Sequence, residues 1–375
     1  MLGNLLFTQH GSLIGDSGSQ IVDVKKRSDH AFSIIVLTKG QTIHQRSKAV
    51  SFRSMKPFLP FLALLTLPVL AEPVWTDPAA AAKESPDFMI QGEYHQQGAA
   101  CGIQVVALGG GKFEAYVLGG GLPGAGWEPG KSRERVEGGT TQDGIELIAP
   151  DSKTKILIKG GQLTLHSADK PAITLPRAAR KSPTLDAKPP HGAVVLFDGS
   201  SADAWERGAM ENRLLKATSC MSKQHFKSYT AHVEFLTPFK PEARGQKRGN
   251  SGIYHAGRWE TQVLDSFGLE GAQNECGGIY SITKPRLNMC LPPLTWQTYD
   301  VDFTAATFDA EGKRSAWPRI TVRLNGVVIH DNVELNKDNT ASAPIHTPLT
   351  DAGGPMFLQD HGNPVYYRNI WVLPK

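Results

Sequence analysis

Short alternating runs of apolar and polar residues, each ended by Gly, Pro or Asp, recur from residue 86 to the C terminus. Alternation with period two is typical of half-buried strands in antiparallel sheets. The 38 Gly and 25 Pro among 375 residues favour many short strands joined by turns. The sequence therefore predicts an all-β chain with a sizeable core, and it excludes a fibrous or wholly membrane-embedded protein.

A first block of strands is predicted over residues 86–175, where it forms a small β-rich N-terminal domain. Its runs include PDFMIQGEY, KFEAYVL, GIELIAP and KTKILIKG. Gly119, Gly121 and Gly124 have the spacing G-x-G-x-x-G, but Pro123 and a second Gly-rich segment stand where a nucleotide-binding loop needs a helix. We interpret these glycines as a turn. Residues 176–190, PRAARKSPTLDAKPP, lack periodicity and are predicted to be an interdomain linker.

The second block, residues 191–375, contains eight or more short strands. Asn325-Gly326 between two apolar runs is the strongest hairpin signal in the chain. So many short strands over some 185 residues favour a two-sheet sandwich or jelly roll.

The segment 55–71 has the anatomy of a secretory signal peptide. Lys56 supplies a basic start, an apolar core follows, and the segment ends in the small residue Ala71. The apolar run, FLPFLALLTLPVL, is too short to span a membrane as a helix. We expect a periplasmic or secreted protein, and we interpret residues 1–54 as a non-native extension from an upstream start codon chosen in error.

Charge and cysteine content agree with export. Residues 1–71 hold eight Lys/Arg and three Asp, so the net charge of +4 falls to −1 without them, and the compositional case for nucleic-acid binding is lost. Cys276 and Cys290 bracket a short loop, which predicts a disulfide in an oxidising compartment. Whether Cys101 and Cys220 pair stays open.

Candidate site residues lie on polar strand faces and in Gly-flanked turns of the second block. Glu260 and Gln262 share a face opposite Trp259, whereas Asp265 would need a bulge to lie beside Glu260. Solvated outer-face residues are the commonest alternative for such positions. Arg248 and Asn250 in RGNSG, and Gln359 and His361 in QDHGN, are typical of a site lined by donors at strand ends.

Several motifs together resemble a known family. They are VLFDGSSADAW, HVEFLTP, RGNSGIY, GRWETQVLDSFG, WQTYDVDFTA, LNGVVIHDN and LQDHGNPVYYRNIWV. As a set, over about residues 193–373, they are similar to the domain once catalogued as DUF1080 and now described as 3-keto-disaccharide hydrolase, or 3-keto-glucoside 1,2-lyase and 2-hydroxy-3-keto-glucal hydratase. The resemblance implies a concanavalin-like jelly roll that acts on 3-keto-glycosides.

The chemistry that the resemblance implies needs a base for the acidified C2 proton, donors for the enolate oxygen and an acid for the leaving group. Glu260, Asp265 and His361 are the candidates for acid and base, and Arg248 and Asn250 for the oxyanion site. The candidates for binding sugar hydroxyls are Tyr254, Gln262, Gln359, Arg368 and Glu234.

Two other functions stay open. The same architecture serves lectins, so the domain could be a non-catalytic carbohydrate-binding module. It could also be an ordinary glycosidase with two carboxylates at a set separation. A divalent metal held by His232, His255 or His361 with Asp or Glu is not demanded by any dense ligand spacing.

Overall fold

The computed structural model describes residues 72–375 in full, together with the backbone of four strands nearer the N terminus. These strands are β1 (Leu6–Phe7), β2 (Ser12–Ile14), β3 (Ile21–Ser28) and β4 (Ala31–Leu37), and they pair antiparallel in sequence order. Residues Met1–Pro68 and Val69–Lys375 are two separate compact units. The predicted signal peptide, residues 55–71, lies outside the described residues.

The second unit begins with two short helices, α1 (Pro78–Glu84) and α2 (Pro86–Ile90), and continues almost entirely in strands. Its first strands are β5 (Gly92–Tyr94), β6 (Cys101–Gly109), β7 (Lys112–Gly119), β8 (Leu122–Pro123), β9 (Gly126–Trp127), β10 (Arg133–Thr141), β11 (Gly144–Ile148), β12 (Thr154–Lys159), β13 (Gln162–Ser167) and β14 (Lys170–Ala178). The later strands are β15 (Val194–Phe197), β16 (Trp205–Glu206), β17 (Met210–Glu211), β18 (Leu214–Lys216), β19 (Cys220–Phe226), β20 (Tyr229–Leu236), β21 (Ser251–His255), β22 (Trp259–Val263), β23 (Gln297–Thr304), β24 (Thr307–Phe308), β25 (Arg314–Ala316), β26 (Arg319–Leu324), β27 (Val327–Glu334), β28 (Gly354–Leu358) and β29 (Tyr366–Pro374). One 3₁₀ turn covers Gly245–Lys247.

The two helices correct one strand assignment. PDFMI was predicted to open a strand, but it forms α2, and the strand begins only at Gly92. Pro86 occupies the first helical turn, where its missing N–H costs nothing and its fixed φ suits a helix. In α1 the Asp77 side chain caps the helix by accepting from Ala80 N at 2.8 Å.

Strands β5–β7 and β10–β14 close into an eight-stranded antiparallel barrel. Its interior is filled by apolar side chains, among them Ile103, Ala115, Leu147 and Ile156. The glycines with G-x-G-x-x-G spacing lie at the end of β7 and around β8, and no helix follows them. They form a turn, as the sequence predicted.

The second block of strands forms a two-sheet sandwich, which confirms the predicted fold class. One sheet has the order β17-β18-β29-β20-β23-β26-β27, with β15 also paired to β29, and the other has the order β16-β19-β28-β21-β22. Ala231 and Val233 on the larger sheet share a core with Ile253 and Trp259 on the smaller one. Asn325 and Gly326 both have positive φ, 52° and 80°, in the tight turn between β26 and β27.

Barrel and sandwich share apolar contacts. Leu236, Phe239 and Tyr366 of the sandwich belong to the barrel's core cluster, and Val106 and Leu118 of the barrel belong to that of the sandwich. Burial of these side chains favours one fixed arrangement of the two parts.

The segment predicted as a linker lies against the outer face of the larger sheet. Ser182 Oγ bonds with Thr298 Oγ1 at 2.6 Å, and Thr184 Oγ1 donates to Asp300 Oδ2 at 2.6 Å. Further along, the Ala187 carbonyl accepts from Asn369 Nδ2 at 3.0 Å. These contacts hold the segment in one conformation, so it does not have the freedom of a solvated linker.

The predicted disulfide between Cys276 and Cys290 is not formed; both residues are buried free thiols. Cys276 Sγ lies 3.4 Å from the Tyr299 hydroxyl, and Cys290 Sγ lies 3.5 Å from the Leu291 carbonyl. The Cys276 hydrogen bond and burial raise the pKa of Cys290 well above its usual value. Because each thiol has a hydrogen-bond partner in a closed core, the loop is held by packing and not by a covalent bond. Cys101 and Cys220 are also free.

Within residues 72–375, no helix combines the length and the apolar character needed to cross a lipid bilayer.

Candidate active site

The smaller sheet brings five of the predicted site residues together on the face that points away from the sandwich core. Tyr254 pairs with Glu260 across β21 and β22, and Gly252 pairs with Gln262, so the side chains of these positions share one face. Gln359 N donates to the Gly252 carbonyl at 2.9 Å, which places Gln359 just beyond β28 in the same row. We call Asn250, Tyr254, Glu260, Gln262 and Gln359 the Glu260 cluster.

Hydrogen bonds connect the members of the Glu260 cluster. Gln359 Nε2 donates to the Tyr254 hydroxyl at 3.0 Å, and that hydroxyl hydrogen-bonds in turn with the Glu260 carboxyl group. When the Gln262 side-chain amide is oriented to satisfy its neighbours, its nitrogen donates to Glu260 Oε1 and to Asn250 Oδ1, each at 3.2 Å. The carboxyl group is therefore surrounded by neutral donors.

Gly252 gives the Glu260 carboxyl group room to lie across the neighbouring strand. A Cβ atom at position 252 would stand 2.2 Å from Glu260 Oε1, well inside van der Waals contact. Any other residue there would displace the carboxyl group, so the glycine serves a close approach of side chain to backbone.

Burial sets the protonation of the Glu260 cluster. Glu260 is 2% exposed, and loss of water raises its pKa to about 7, although the Tyr254 hydrogen bond acts in the opposite direction. Burial, and then the neighbouring Glu260, raise the pKa of Tyr254 far above 10, so this phenol stays neutral. A carboxyl group that titrates near neutral pH can serve as a general base or acid there.

Sequence reasoning missed the residues that cover the Glu260 cluster. The loop between β27 and β28, residues 335–353 (the covering loop), places Ala343 against Tyr254 and Phe357. Ser342 of the same loop hydrogen-bonds with Tyr254. The loop has no strand periodicity, and only its contacts reveal that it belongs to the site.

Asp265 does not lie beside Glu260. Strand β22 ends at Val263, and beyond it Asp265 turns to pair with Arg248 (Nε to Oδ2, 2.7 Å). The Arg248 guanidinium also donates to the barrel carbonyl of Ala107 at 3.2 Å and to Gln91 Oε1 at 3.3 Å. Both predicted site residues are therefore engaged in a buried ion pair at the junction of barrel and sandwich.

Glu234 and Arg368 form another group, on the larger sheet beneath the linker segment. Arg368 Nε donates to Glu234 Oε2 at 2.7 Å, and Asp186 N donates to Glu234 Oε1 at 2.6 Å. Burial alone would raise the pKa of Glu234, but these bonds, with others from His232 and Asn369, lower it to about 2. The two residues hold the linker in place and are not brought to the Glu260 cluster.

His361 is exposed in the loop between β28 and β29, two residues beyond Gln359. Its carbonyl accepts from Asn363 Nδ2 at 3.0 Å. Its role stays a prediction.

Two other features of the described residues bear on ligands. Residues 72–375 contain no group of three or more His, Cys, Asp or Glu side chains that could hold a metal ion. A cavity of about 920 Å³ opens at the junction of barrel and sandwich, between Trp127 and Arg286, but Glu260 does not line it. We place the candidate site at Glu260, because a cavity by itself supplies no chemistry.

A family model described as a 3-keto-alpha-glucoside-1,2-lyase-like domain matches residues 192–373. Two similar solved structures, both assigned only provisionally as glycosyl hydrolases, come from Parabacteroides distasonis ATCC 8503. The first is 31% identical over 49% of this chain and 84% of that chain, with a TM-score of 0.45. The second is 18% identical over 49% of this chain and 94% of that chain, with a TM-score of 0.36. No curated protein matches.

The two-sheet sandwich and the family match define a carbohydrate-active enzyme domain with a concanavalin-like jelly-roll fold. Through residues 192–373 the chain belongs to the 3-keto-alpha-glucoside-1,2-lyase-like family, as its motifs predicted.

Proposed function

We propose that this protein is an exported enzyme that cleaves 3-keto-glycosides by β-elimination and hydration, with net hydrolysis as the result. The observation that carries the proposal is the Glu260 cluster, in which one buried carboxyl group with a pKa near 7 is surrounded by neutral amide and phenol donors.

The first step needs a base. In a 3-keto-glucoside the C3 carbonyl acidifies the C2 proton, and Glu260 takes this proton as its carboxylate becomes a carboxylic acid. The electron pair of the C2–H bond forms the enolate. A base with a pKa near the working pH is the most effective for such a transfer.

The second requirement is a set of donors for the enolate oxygen. A side-chain amide has two N–H donors, and Gln359 uses one of them on Tyr254. Asn250 uses one on Gln246 Oε1 at 2.7 Å. Each amide therefore keeps an N–H for a substrate oxygen, in a buried site where such bonds are strong.

The third step breaks the C1–O1 bond. The enolate electrons form the C1–C2 double bond, the aglycone oxygen leaves with the proton that Glu260 accepted, and a 2-hydroxy-3-keto-glucal results. Water then adds its oxygen to C1 and a proton to C2. One carboxyl group can serve the elimination first as base and then as acid, whereas an ordinary glycosidase needs two opposed carboxyl groups. Asp265, the expected second carboxyl group, is engaged by Arg248.

The test is turnover of a 3-keto-glucoside labelled with deuterium at C2, beside its unoxidised parent. We expect the keto substrate to react, with the label slowing the reaction or washing out into solvent. Glu260→Gln should lower kcat by about 10²–10⁴-fold, the usual loss for a positioned base. The matched control is Glu206→Gln, an exposed carboxylate at the far edge of the same sheet, which should keep full activity.

Cleavage of the unoxidised glucoside with the C2 label retained would reject the elimination and favour the two-carboxylate glycosidase. Tight sugar binding without turnover of either substrate would favour the lectin.

A further inference from the structure

The covering loop is fastened to the turn that leads into β22, the strand of Glu260. Thr340 N and Thr340 Oγ1 both donate to the Arg258 carbonyl, at 2.8 and 3.0 Å. Glu260 N donates to Thr340 Oγ1 at 3.3 Å. The fully buried Thr340 side chain thus joins the loop, the turn and the backbone of Glu260 in one network.

The Arg258 side chain forms a second connection to the same loop. Its Nη2 donates to Thr347 Oγ1 at 3.2 Å and to the Pro348 carbonyl at 3.3 Å, and the residue is 5% exposed. Its Nη1 is buried without a hydrogen-bond partner among the described residues. A buried donor without a partner destabilises the state that buries it, and water would solvate it once the loop lifts.

These opposing contributions are suited to a loop that opens and closes. Two sets of hydrogen bonds hold the loop down, and the unpartnered Nη1 offsets part of their stabilisation. With the loop down, Glu260 is 2% exposed and Tyr254 is 0% exposed, so a sugar can reach Glu260 only when the loop lifts.

We propose that Arg258 and Thr340 are positioning residues that latch the covering loop over the Glu260 cluster and so keep water away from the Glu260 carboxyl group while it takes the C2 proton. The inference rests on the proposed function, because it concerns the base of that reaction.

Water exclusion accounts for the protonation behaviour of Glu260. The titratable groups that interact with it are tyrosines, Tyr254 on β21 and Tyr367 on β29, and Tyr280 lies beside Tyr254. Burial raises the pKa of Tyr254 and of Tyr367, so both phenols are uncharged near pH 7. Burial is thus the main cause of the raised pKa of Glu260, and a loosened latch should let that pKa fall.

The test measures the protonation of Glu260 directly, by the ¹³C shift of its carboxyl carbon as pH changes in the free protein, with Glu260→Gln identifying the signal. In Thr340→Val the pKa should fall from about 7 by about one unit or more toward its usual value. Thr340→Ser keeps the hydroxyl and should restore it. Thr350→Val, on the exposed part of the same loop, is the matched control and should leave the pKa of Glu260 unchanged.

A second measurement follows the loop itself. Hydrogen exchange of the Thr340 and Ile345 amides, which donate to Arg258 and Gly257, should accelerate at least tenfold in Thr340→Val and in Arg258→Lys. Arg258→Lys also tests the latch if Thr340→Val does not fold. The rising limb of the kcat/KM profile against pH should shift to lower pH by the same amount as the pKa of Glu260.

Unchanged Glu260 titration in folded Thr340→Val and Arg258→Lys would overturn the latch. A shifted titration in a protein that turns over no 3-keto-glucoside would leave the latch standing and reject the proposed function instead.

Discussion

Glu260 is a carboxyl group that the fold holds in a protonation state different from the one it has in water. Because its pKa is raised from 4.5 to about 7, the folded protein binds more protons than the unfolded chain between these pH values. Its contribution to stability therefore falls as pH rises through this window, and the full penalty is present above pH 7. Such a penalty at a reacting group is common where function requires an unfavourable environment.

Glu260→Gln should therefore stabilise the protein in a pH-dependent way. At pH 8 we expect a gain in the free energy of unfolding of about 3 kcal/mol, since each pKa unit corresponds to about 1.4 kcal/mol. At pH 5 the gain should shrink to below about 1 kcal/mol, because the folded carboxyl group is then protonated. Urea unfolding of both proteins at the two pH values measures this, and an equal gain at both would contradict it.

Asp265→Asn provides the contrast at the same scale. It leaves the buried Arg248 without its ionic partner, which typically destabilises a protein by about 3–5 kcal/mol. Asp265→Asn should therefore lower the free energy of unfolding, whereas Glu260→Gln should raise it at pH 8. The folded fraction should keep its turnover, since Asp265 does not contact the Glu260 cluster in this structure.

At the scale of elements, the linker segment packs against the outer face of the larger sheet and is held there by hydrogen bonds. Thr184 Oγ1 contacts Asp300 Oδ2 at 2.6 Å and Thr298 Oγ1 at 2.9 Å, and Arg180 Nε donates to Glu93 Oε2 at 2.6 Å. A chain held at both ends in this way presents few backbone bonds to a protease.

We expect trypsin to spare Arg180 and Lys181 in the native protein. Thr184→Val should make them susceptible and lower stability by about 1–3 kcal/mol, because a hydrogen bond to a charged group is lost and Asp300 is left short of a donor. The control is Thr174→Val, which removes an exposed hydrogen bond between Thr164 and Thr174 on the barrel. It should change the free energy of unfolding by less than about 0.5 kcal/mol. Rapid cleavage of the native linker would show that the segment is mobile.

At the scale of the whole molecule, barrel and sandwich are joined by apolar contacts and by Arg248. The segment before them, residues 1–71, has eight Lys/Arg and three Asp and so accounts for the positive net charge of the chain. With residues 1–71 removed the net charge is −1. We propose that the working protein is the remainder, released outside the cytoplasm.

The mature chain should start near Glu72, because the segment 55–71 has a basic start, an apolar core and Ala71 at the cleavage position. N-terminal sequencing of protein recovered from the periplasm or medium checks this. Recovery of the native chain with Met1 at its start would contradict both the cleavage and the start-codon interpretation.

The sequence by itself determined most of the strands, the sandwich, the tight turn at Asn325-Gly326 and the family, because these depend on local patterns; PDFMI, which became α2, is the exception. Period-two alternation places Trp259 in the core and Glu260 on the opposite face, and tertiary contacts do not alter this. Tyr254, Gln262 and Gln359 could be grouped with Glu260 on the same local grounds.

Only the tertiary structure decided what the remaining polar residues do. Asp265 lies past the end of β22, where alternation no longer applies, and a guanidinium from elsewhere in the chain determines its direction. Glu234 and Arg368 have the residue types of a sugar site, but a segment about fifty residues before Glu234 covers them. Thr340 and Arg258 carry no local signal at all, because their role depends on contacts between a loop and a turn some eighty residues apart. Such long-range contacts are set by packing of the whole chain, which no local pattern encodes.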